Sequence, residues 1–258
     1  MSNKKVVALT RPISRSKEAI KLIEDYGGEA LVVPTLELEL LNSPSLKDFM
    51  SEIDDLDWLI FTSVSSLDSI FKFYPDFNDK LSNKCKTAVI GHKTAEVTEK
   101  YGIHVDLIPE DYTAEGLLRS FKDIDIKGKK IGIPRTYSAR NVLPDTLEKW
   151  GANVILAESY RSILPHDISK IQDLINKIFN NEIDAITFTS PLTVKNLFKV
   201  AENKKDDLAK LLSNNVLTVS IGPITGYTLD DFNVKYIYPE RYTVKDMVDL
   251  MFNHIFNY

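Results

Sequence analysis

Short apolar runs alternate with helical stretches along most of the chain. Val6–Leu9 is apolar and rich in β-branched residues, as a buried strand should be. From residue 16 to 26, Ala19, Ile20, Leu22 and Ile23 recur at helical spacing, and Gly27-Gly28 ends the run. Residues 30–34 form the next predicted strand. The same sequence of strand, turn and helix returns at 130–134 and 141–150, followed by Gly151 and a strand over 153–157. Residues 58–62 and 183–189 read as strands that run into a polar turn and a helix. Residues 88–90 and 217–221 are strands ending at Gly91 and Gly222. This βαβα rhythm predicts parallel sheets with helices on both faces.

The pattern is also duplicated. Ile60-Phe61-Thr62-Ser63 is answered by Ile186-Thr187-Phe188-Thr189-Ser190, and Ile90-Gly91 with Thr94 by Ile221-Gly222 with Thr225. Pro109-Glu110-Asp111-Tyr112-Thr113 is answered by Pro239-Glu240-Arg241-Tyr242-Thr243. An earlier block repeats too: Arg11-Pro12-Ile13-Ser14 with Gly28 matches Arg135-Thr136-Tyr137-Ser138 with Gly151. The blocks run first, second, first, second. The middle pair then forms one contiguous domain, and the chain ends form the other. Residues 35–41 alternate apolar and acidic side chains at period two, which predicts a half-exposed strand, and 158–165 is their counterpart. The expected fold is therefore two similar doubly wound α/β parallel-sheet domains, one of them discontinuous. Residues 1–34 with 166–258 make that discontinuous domain, and 42–157 make the inserted one. Residues 35–41 and 158–165 are the crossing strands, expected to pair as an antiparallel linker and to act as a hinge beside a cleft.

Composition narrows the function. Hydrophobic content of 43% with 27% charged residues is that of a globular protein, and no apolar run approaches the length needed to cross a bilayer. The start, Met1-Ser2-Asn3-Lys4-Lys5, lacks the apolar stretch of a signal peptide, and Cys85 is the single cysteine. A cytoplasmic location is the expectation. The net charge of −5 argues against a nucleic-acid binder held by a basic field, and no membrane partner is expected.

In open parallel sheets, ligands bind beyond the carboxyl ends of the strands. The residues at those ends are Thr10 and Arg11, Thr62 and Ser63, Thr94, Arg135 and Ser138, Thr189 and Ser190, and Thr225. Helix starts there offer free N–H groups to an anion. Arginine can hold a carboxylate as a fork, and Arg11, Arg135 and Arg140 are candidates. The competing reading makes the hydroxyls ordinary helix caps and the arginines solvated surface charges. Tyr160 sits in a crossing segment, where a phenol could donate a proton to a leaving group or simply pack the linker. Tyr112 and Tyr242, equivalent by repeat, read as structural. The chain contains neither G-x-x-x-x-G-K-[ST] nor a G-x-G-x-x-G after a strand. Its four histidines are scattered and Cys85 has no C-x-x-C partner, so no metal or organic cofactor is expected.

The series Thr10-Arg11-Pro12, Gly28, Pro34, Ile60-Phe61-Thr62-Ser63, Ile90-Gly91 with Thr94, Arg140-x-x-Leu143, Gly151, Tyr160, Phe188-Thr189-Ser190-Pro191, Ile221-Gly222-Pro223 and Thr225 resembles the uroporphyrinogen-III synthase family in order and spacing over nearly the whole chain. Two turns depart from the family pattern. Thr136-Tyr137-Ser138-Ala139 stands where members often carry Gly, and the Val64-Ser65-Ser66 turn lacks the Pro of its later copy. The resemblance implies two α/β domains joined by a two-stranded ribbon. It implies a cyclising hydro-lyase that takes hydroxymethylbilane, a linear tetrapyrrole with eight carboxylates, and expels its terminal hydroxyl as water. The enzyme inverts ring D and closes uroporphyrinogen III, the precursor of haem, sirohaem and cobalamin. Tyr160 would assist hydroxyl departure. Thr10, Arg11, Thr62, Ser63, Thr94, Arg135, Ser138, Ser190 and Thr225 would bind substrate. No cofactor is implied. Hand-off from hydroxymethylbilane synthase to a monomer is expected. The alternative is a non-catalytic two-lobed binder of a tetrapyrrole or another anionic ligand.

Overall fold

A computed structural model describes residues 4–256. Among the described residues, ten strands follow in chain order: β1 (Val6–Leu9), β2 (Glu29–Val32), β3 (Glu37–Leu40), β4 (Trp58–Phe61), β5 (Lys86–Val89), β6 (Lys130–Arg135), β7 (Asn153–Glu158), β8 (Tyr160–Ile163), β9 (Ala185–Phe188) and β10 (Leu217–Ser220). The chain divides into two compact units, residues 1–37 with 163–258 and residues 38–162. One unit is thus discontinuous and the other is inserted into it. The chain passes between them along β3 and β8, which pair as a separate antiparallel two-stranded sheet. An Arg161–Glu39 ion pair of 2.7 Å spans that ribbon.

The discontinuous unit holds a parallel sheet of order β10-β9-β1-β2. Successive side chains point to opposite faces, and both faces are apolar. Ala8, Ile186 and Phe188 pack with the helices Ser169–Phe179 and Pro191–Ala201, while Val7, Leu9 and Ala185 pack with Lys17–Asp25 and Val244–Phe256. Each fully buried Val, Leu, Ile or Phe among them contributes about 1.5–3 kcal/mol.

The inserted unit repeats the plan as β5-β4-β6-β7. Leu59, Phe61 and Val89 face one core cluster, and Trp58, Ile60, Ile131 and Ile133 face the other. Even the fastening is copied. Asp184 accepts from Lys5 Nζ at 2.8 Å and from Val6 N at 2.9 Å. Asp57 accepts from Lys129 Nζ and Lys130 N, both at 2.9 Å. In each unit an aspartate just ahead of one central strand therefore ties down the start of the other.

Strand order locates the crevices. In both sheets the winding reverses between the two central strands, β9 and β1 in one unit and β4 and β6 in the other. An open α/β sheet binds ligands at such a reversal, outside the carboxyl ends. In the inserted unit β4 and β6 pair only at Trp58↔Ile131 and Leu59↔Gly132, although both strands run further. Beyond that point β6 is not paired with β4, and its Pro134 carbonyl accepts from the Ser66 hydroxyl at 2.7 Å instead. Gly132 lets Phe49 of the helix Pro44–Ser51 and Leu56 pack directly on β6: a Cβ there would lie 2.5 Å from Phe49 Cε2 and 2.7 Å from Leu56 Cδ1.

Candidate active site

Beyond the paired residues of β4 and β6 lies a cavity of about 360 Å³ lined by Thr62, Tyr112, Arg135, Arg140, Leu143 and Tyr160, among others. That volume is at the low end of the roughly 300–1,000 Å³ range of small-ligand pockets. Of the candidates singled out from sequence, Thr62, Arg135, Arg140 and Tyr160 line it, and all but Arg140 come from the end or start of a strand.

Arg135 is 4% exposed. Its Nε donates to the Thr136 carbonyl at 3.1 Å, and its Nη2 donates to the Ala139 and Arg140 carbonyls. These bonds hold the 136–140 turn around the guanidinium. Burial pushes the Arg135 pKa below its usual value, while Tyr160 and Asp145 act in the opposite direction. No carboxylate within salt-bridge distance of Arg135 is found among the described residues. The site therefore places a desolvated cation beside the Tyr160 phenol, a setting that favours an added anion. Arg140, at the rim, is already committed to a two-pronged pair with Glu115, at 2.9 and 3.2 Å.

The discontinuous unit shows a related arrangement at its own reversal. Arg11 follows β1 and Ser190 follows the neighbouring β9. Arg11 Nε and Nη1 and Ser190 Oγ are buried without hydrogen-bond partners. Burial and then the Arg15 cation lower the Arg11 pKa, with Glu18 acting against them. Ser190 caps the helix Pro191–Ala201 by position but makes no side-chain capping bond. Buried donors without partners are rare in folded proteins, and a cation with a hydroxyl in that state suits a carboxylate ligand.

The remaining candidates lie elsewhere. Thr10 is fully buried, and its hydroxyl donates to the Thr187 carbonyl at 2.8 Å, so its side chain serves the strand pair. Ser63 Oγ accepts from Ser65 N at 3.0 Å, an ordinary helix cap. Thr94 and Thr225 are 8% and 3% exposed, within the helices His92–Lys100 and Pro223–Asp230. Their helical phase turns them toward the core, which spacing after a glycine did not reveal. Ser138 is exposed and its Oγ lies 3.0 Å from Thr136 Oγ1, outside the cavity lining. Conversely, Tyr112 lines the cavity although its sequence reads as structural.

Other chemistries find little footing. Burial pushes the Cys85 thiol up to about 12, helped by Asp106 and Asp57, so it is no nucleophile at neutral pH. Among the described residues no group of three or more His, Cys, Asp or Glu could hold a metal ion, and no helix is long and apolar enough to cross a membrane.

Comparison with protein families identifies one family. The family model described as Uroporphyrinogen-III synthase HemD matches residues 17–249. A protein of Methanothermobacter thermautotrophicus, provisionally named a uroporphyrinogen-III synthase, is 48% identical over 242 residues, spanning 94% of this chain and 95% of its own. The uroporphyrinogen-III synthase of Chlorobaculum parvum is 26% identical over 247 residues, 92% of this chain and 94% of its own. Among solved structures, the uroporphyrinogen-III synthetase of Helicobacter pylori 26695 matches with a TM-score of 0.60 at 15% identity, over 97% of this chain and 99% of that one, a likeness of fold.

Proposed function

Because this chain belongs to the uroporphyrinogen-III synthase family, an enzyme family of tetrapyrrole biosynthesis, we propose that it is a cyclising hydro-lyase acting on hydroxymethylbilane. The terminal hydroxyl leaves as water, ring D is inverted, and the macrocycle closes as uroporphyrinogen III. The observation that carries the reading at residue level is the cavity that gathers Thr62, Arg135 and Tyr160 at the β4–β6 reversal.

The substrate's pyrrole electrons supply the push that expels the hydroxyl. Left alone, the linear chain closes without inverting its last ring. The protein's work is then mainly positional: it holds the chain so that the inverting bond forms first. Proton donation by Tyr160 lets the hydroxyl depart as water rather than hydroxide. The Arg135 guanidinium lines the same cavity and would oppose negative charge developing on the phenol oxygen. A substrate carboxylate would supply the counter-charge that the buried Arg135 lacks, and the discontinuous unit, taken by itself, offers an anion the unpartnered Arg11 and Ser190 atoms. A buried guanidinium acts locally, so a chain of net charge −5 can still hold a carboxylate of so acidic a molecule. A cytoplasmic monomer that receives its substrate from hydroxymethylbilane synthase completes the reading. The lone cysteine, which cannot form an intrachain disulfide, fits it.

The test is product analysis. Fresh hydroxymethylbilane is supplied to the purified chain, the products are oxidised, and type I and type III isomers are separated by chromatography. Type III in excess is the expected result. Type I alone, at the rate seen without protein, would mean a binder and not a synthase.

A further inference from the structure

Tyr112 is 53% exposed, yet its position is tightly fixed. Thr113 Oγ1 accepts from Gly116 N at 2.9 Å and caps the helix Ala114–Phe121. Gly116 itself is pressed on the loop: a Cβ there would lie 2.1 Å from the Asp111 carbonyl oxygen. Asp111 also pairs with Arg119. The ring lies against Gly91, whose added Cβ would sit 3.5 Å from Tyr112 Cγ, and the His92 ring meets it edge-on at 5.2 Å. A large ring held still while half in water forgoes much of the burial it could have had. The second copy does the same. Tyr242 is 59% exposed, and a Cβ at Gly222 would lie 3.0 Å from its Cγ. Thr243 Oγ1 accepts from Asp246 N at 3.1 Å, fastening that loop as Thr113 fastens the first. Both halves of the chain thus park an exposed tyrosine against the glycine that begins a strand-end helix. The copy in the inserted unit lines the cavity together with Thr62, Arg135 and Tyr160.

We propose that Tyr112 is a stacking platform that holds one carboxylate-bearing pyrrole ring of the substrate within the Tyr160 cavity and thereby sets which carbon closes the macrocycle. This deepens the reading above and rests on it. A flat, electron-rich heterocycle stacks on a tyrosine face in an offset arrangement. The same face attracts a ring that becomes cationic when the hydroxyl leaves. Arg135, in the same cavity, meets the ring's acidic substituent, so one ring is gripped by face and by edge. The cavity is sized for a part of the ligand, and a single substituted ring is that part. The phenol oxygen of Tyr112 has no role in this contact; the ring does the holding.

The experiment compares wild type, Tyr112→Phe and Tyr112→Leu as full chains with fresh hydroxymethylbilane. KM, the type III share and the thermal midpoint are measured for each. The phenylalanine variant should match wild type within about twofold in KM, because the aromatic face survives. Leucine keeps apolar bulk over Gly91 but has no π face, so KM should rise about tenfold with an unchanged midpoint. Its type III share should fall as spontaneous closure competes. A leucine variant equal to wild type, or a phenylalanine variant as impaired as leucine, overturns the platform and leaves the synthase reading standing. Wild type giving type I alone overturns both. If the leucine variant does not fold, Tyr112→Trp decides: its fluorescence must change on adding uroporphyrinogen III by more than that of wild type, and an equal response overturns the proposal.

Discussion

Replacing Arg11 with Met separates a residue kept for binding from one kept for folding. Its Nε and Nη1 are buried without partners, and leaving a buried donor unsatisfied costs about 1–3 kcal/mol. Both atoms belong to one guanidinium, so the two penalties overlap rather than add. Methionine fills the path of the arginine stem with a flexible apolar chain and removes the stranded donors. Arg11→Met should therefore raise the unfolding free energy by about 1–2 kcal/mol. For a chain of this size each kcal/mol moves the midpoint by about 2–4 °C. Binding should move the other way. Hydrogen bonds to a charged group are worth about 1.5–3 kcal/mol, so losing the carboxylate contact should raise KM by a factor of about 10–150. Urea unfolding gives the first number and steady-state kinetics with hydroxymethylbilane the second. A variant that is less stable by more than about 1 kcal/mol, with KM unchanged, would show that Arg11 serves the fold, and the argument from its unpaired atoms would fail.

Other expectations concern neighbouring positions. Ser190→Ala removes a buried hydroxyl without a partner, so stability should hold while KM rises. Ser63→Ala removes a real cap and should cost about 1 kcal/mol of stability, with KM little changed; a reversed pattern in unfolding and kinetic measurements would contradict the site assignment. The Lys129 hydrogen bond and then the Lys130 N–H hold the Asp57 carboxyl below the usual aspartate range. Its contribution is thus present above the ordinary value of about 3.9 and is lost as pH falls through the lower folded value. Asp57→Asn should cost about 0.5–1.5 kcal/mol at pH 7, toward the lower figure because the side chain is 36% exposed. In urea unfolding the gap to wild type should close in strong acid; a constant gap would contradict the linkage. Gly132→Ala drives a methyl into Phe49 and Leu56 and should cost about 1–3 kcal/mol, read as a lower thermal midpoint, whereas an unchanged midpoint would mean that the helix Pro44–Ser51 gives way freely.

Periodicity and repetition made the architecture readable. Strand cores such as Val6–Leu9 and the alternation around Leu38 and Leu40 are local signals. The block order then dictated which strands share a sheet. The crevice residues were harder, because their positions relative to the strand ends are local but their facing is not. Thr10, Thr94 and Thr225 follow strands as Thr62 does, yet they turn inward, and only packing decides that direction. Arg135, a candidate carboxylate fork whose competing reading is a solvated charge, is buried and wrapped by the carbonyls of its own turn. Tyr112 carries one sequence signal of a role at the site in its repeat mate, Tyr242. A structural tyrosine would normally bury its ring, and neither copy does. The cavity depends on the 112–114 and 139–143 segments meeting beside β4 and β6, a long-range convergence that no local pattern encodes.

The central claim is that Tyr160, in the cavity with Thr62 and Arg135, assists departure of the substrate hydroxyl. A single-turnover comparison of wild type with Tyr160→Phe, with enzyme in excess over fresh hydroxymethylbilane, tests it most directly. The phenylalanine variant keeps the ring and the fold but has no proton to give. The rate of type III formation should fall at least about tenfold, equivalent to about 1.4 kcal/mol of barrier, with KM within about twofold of wild type. Equal rates and equal isomer ratios for the two proteins would contradict the claim.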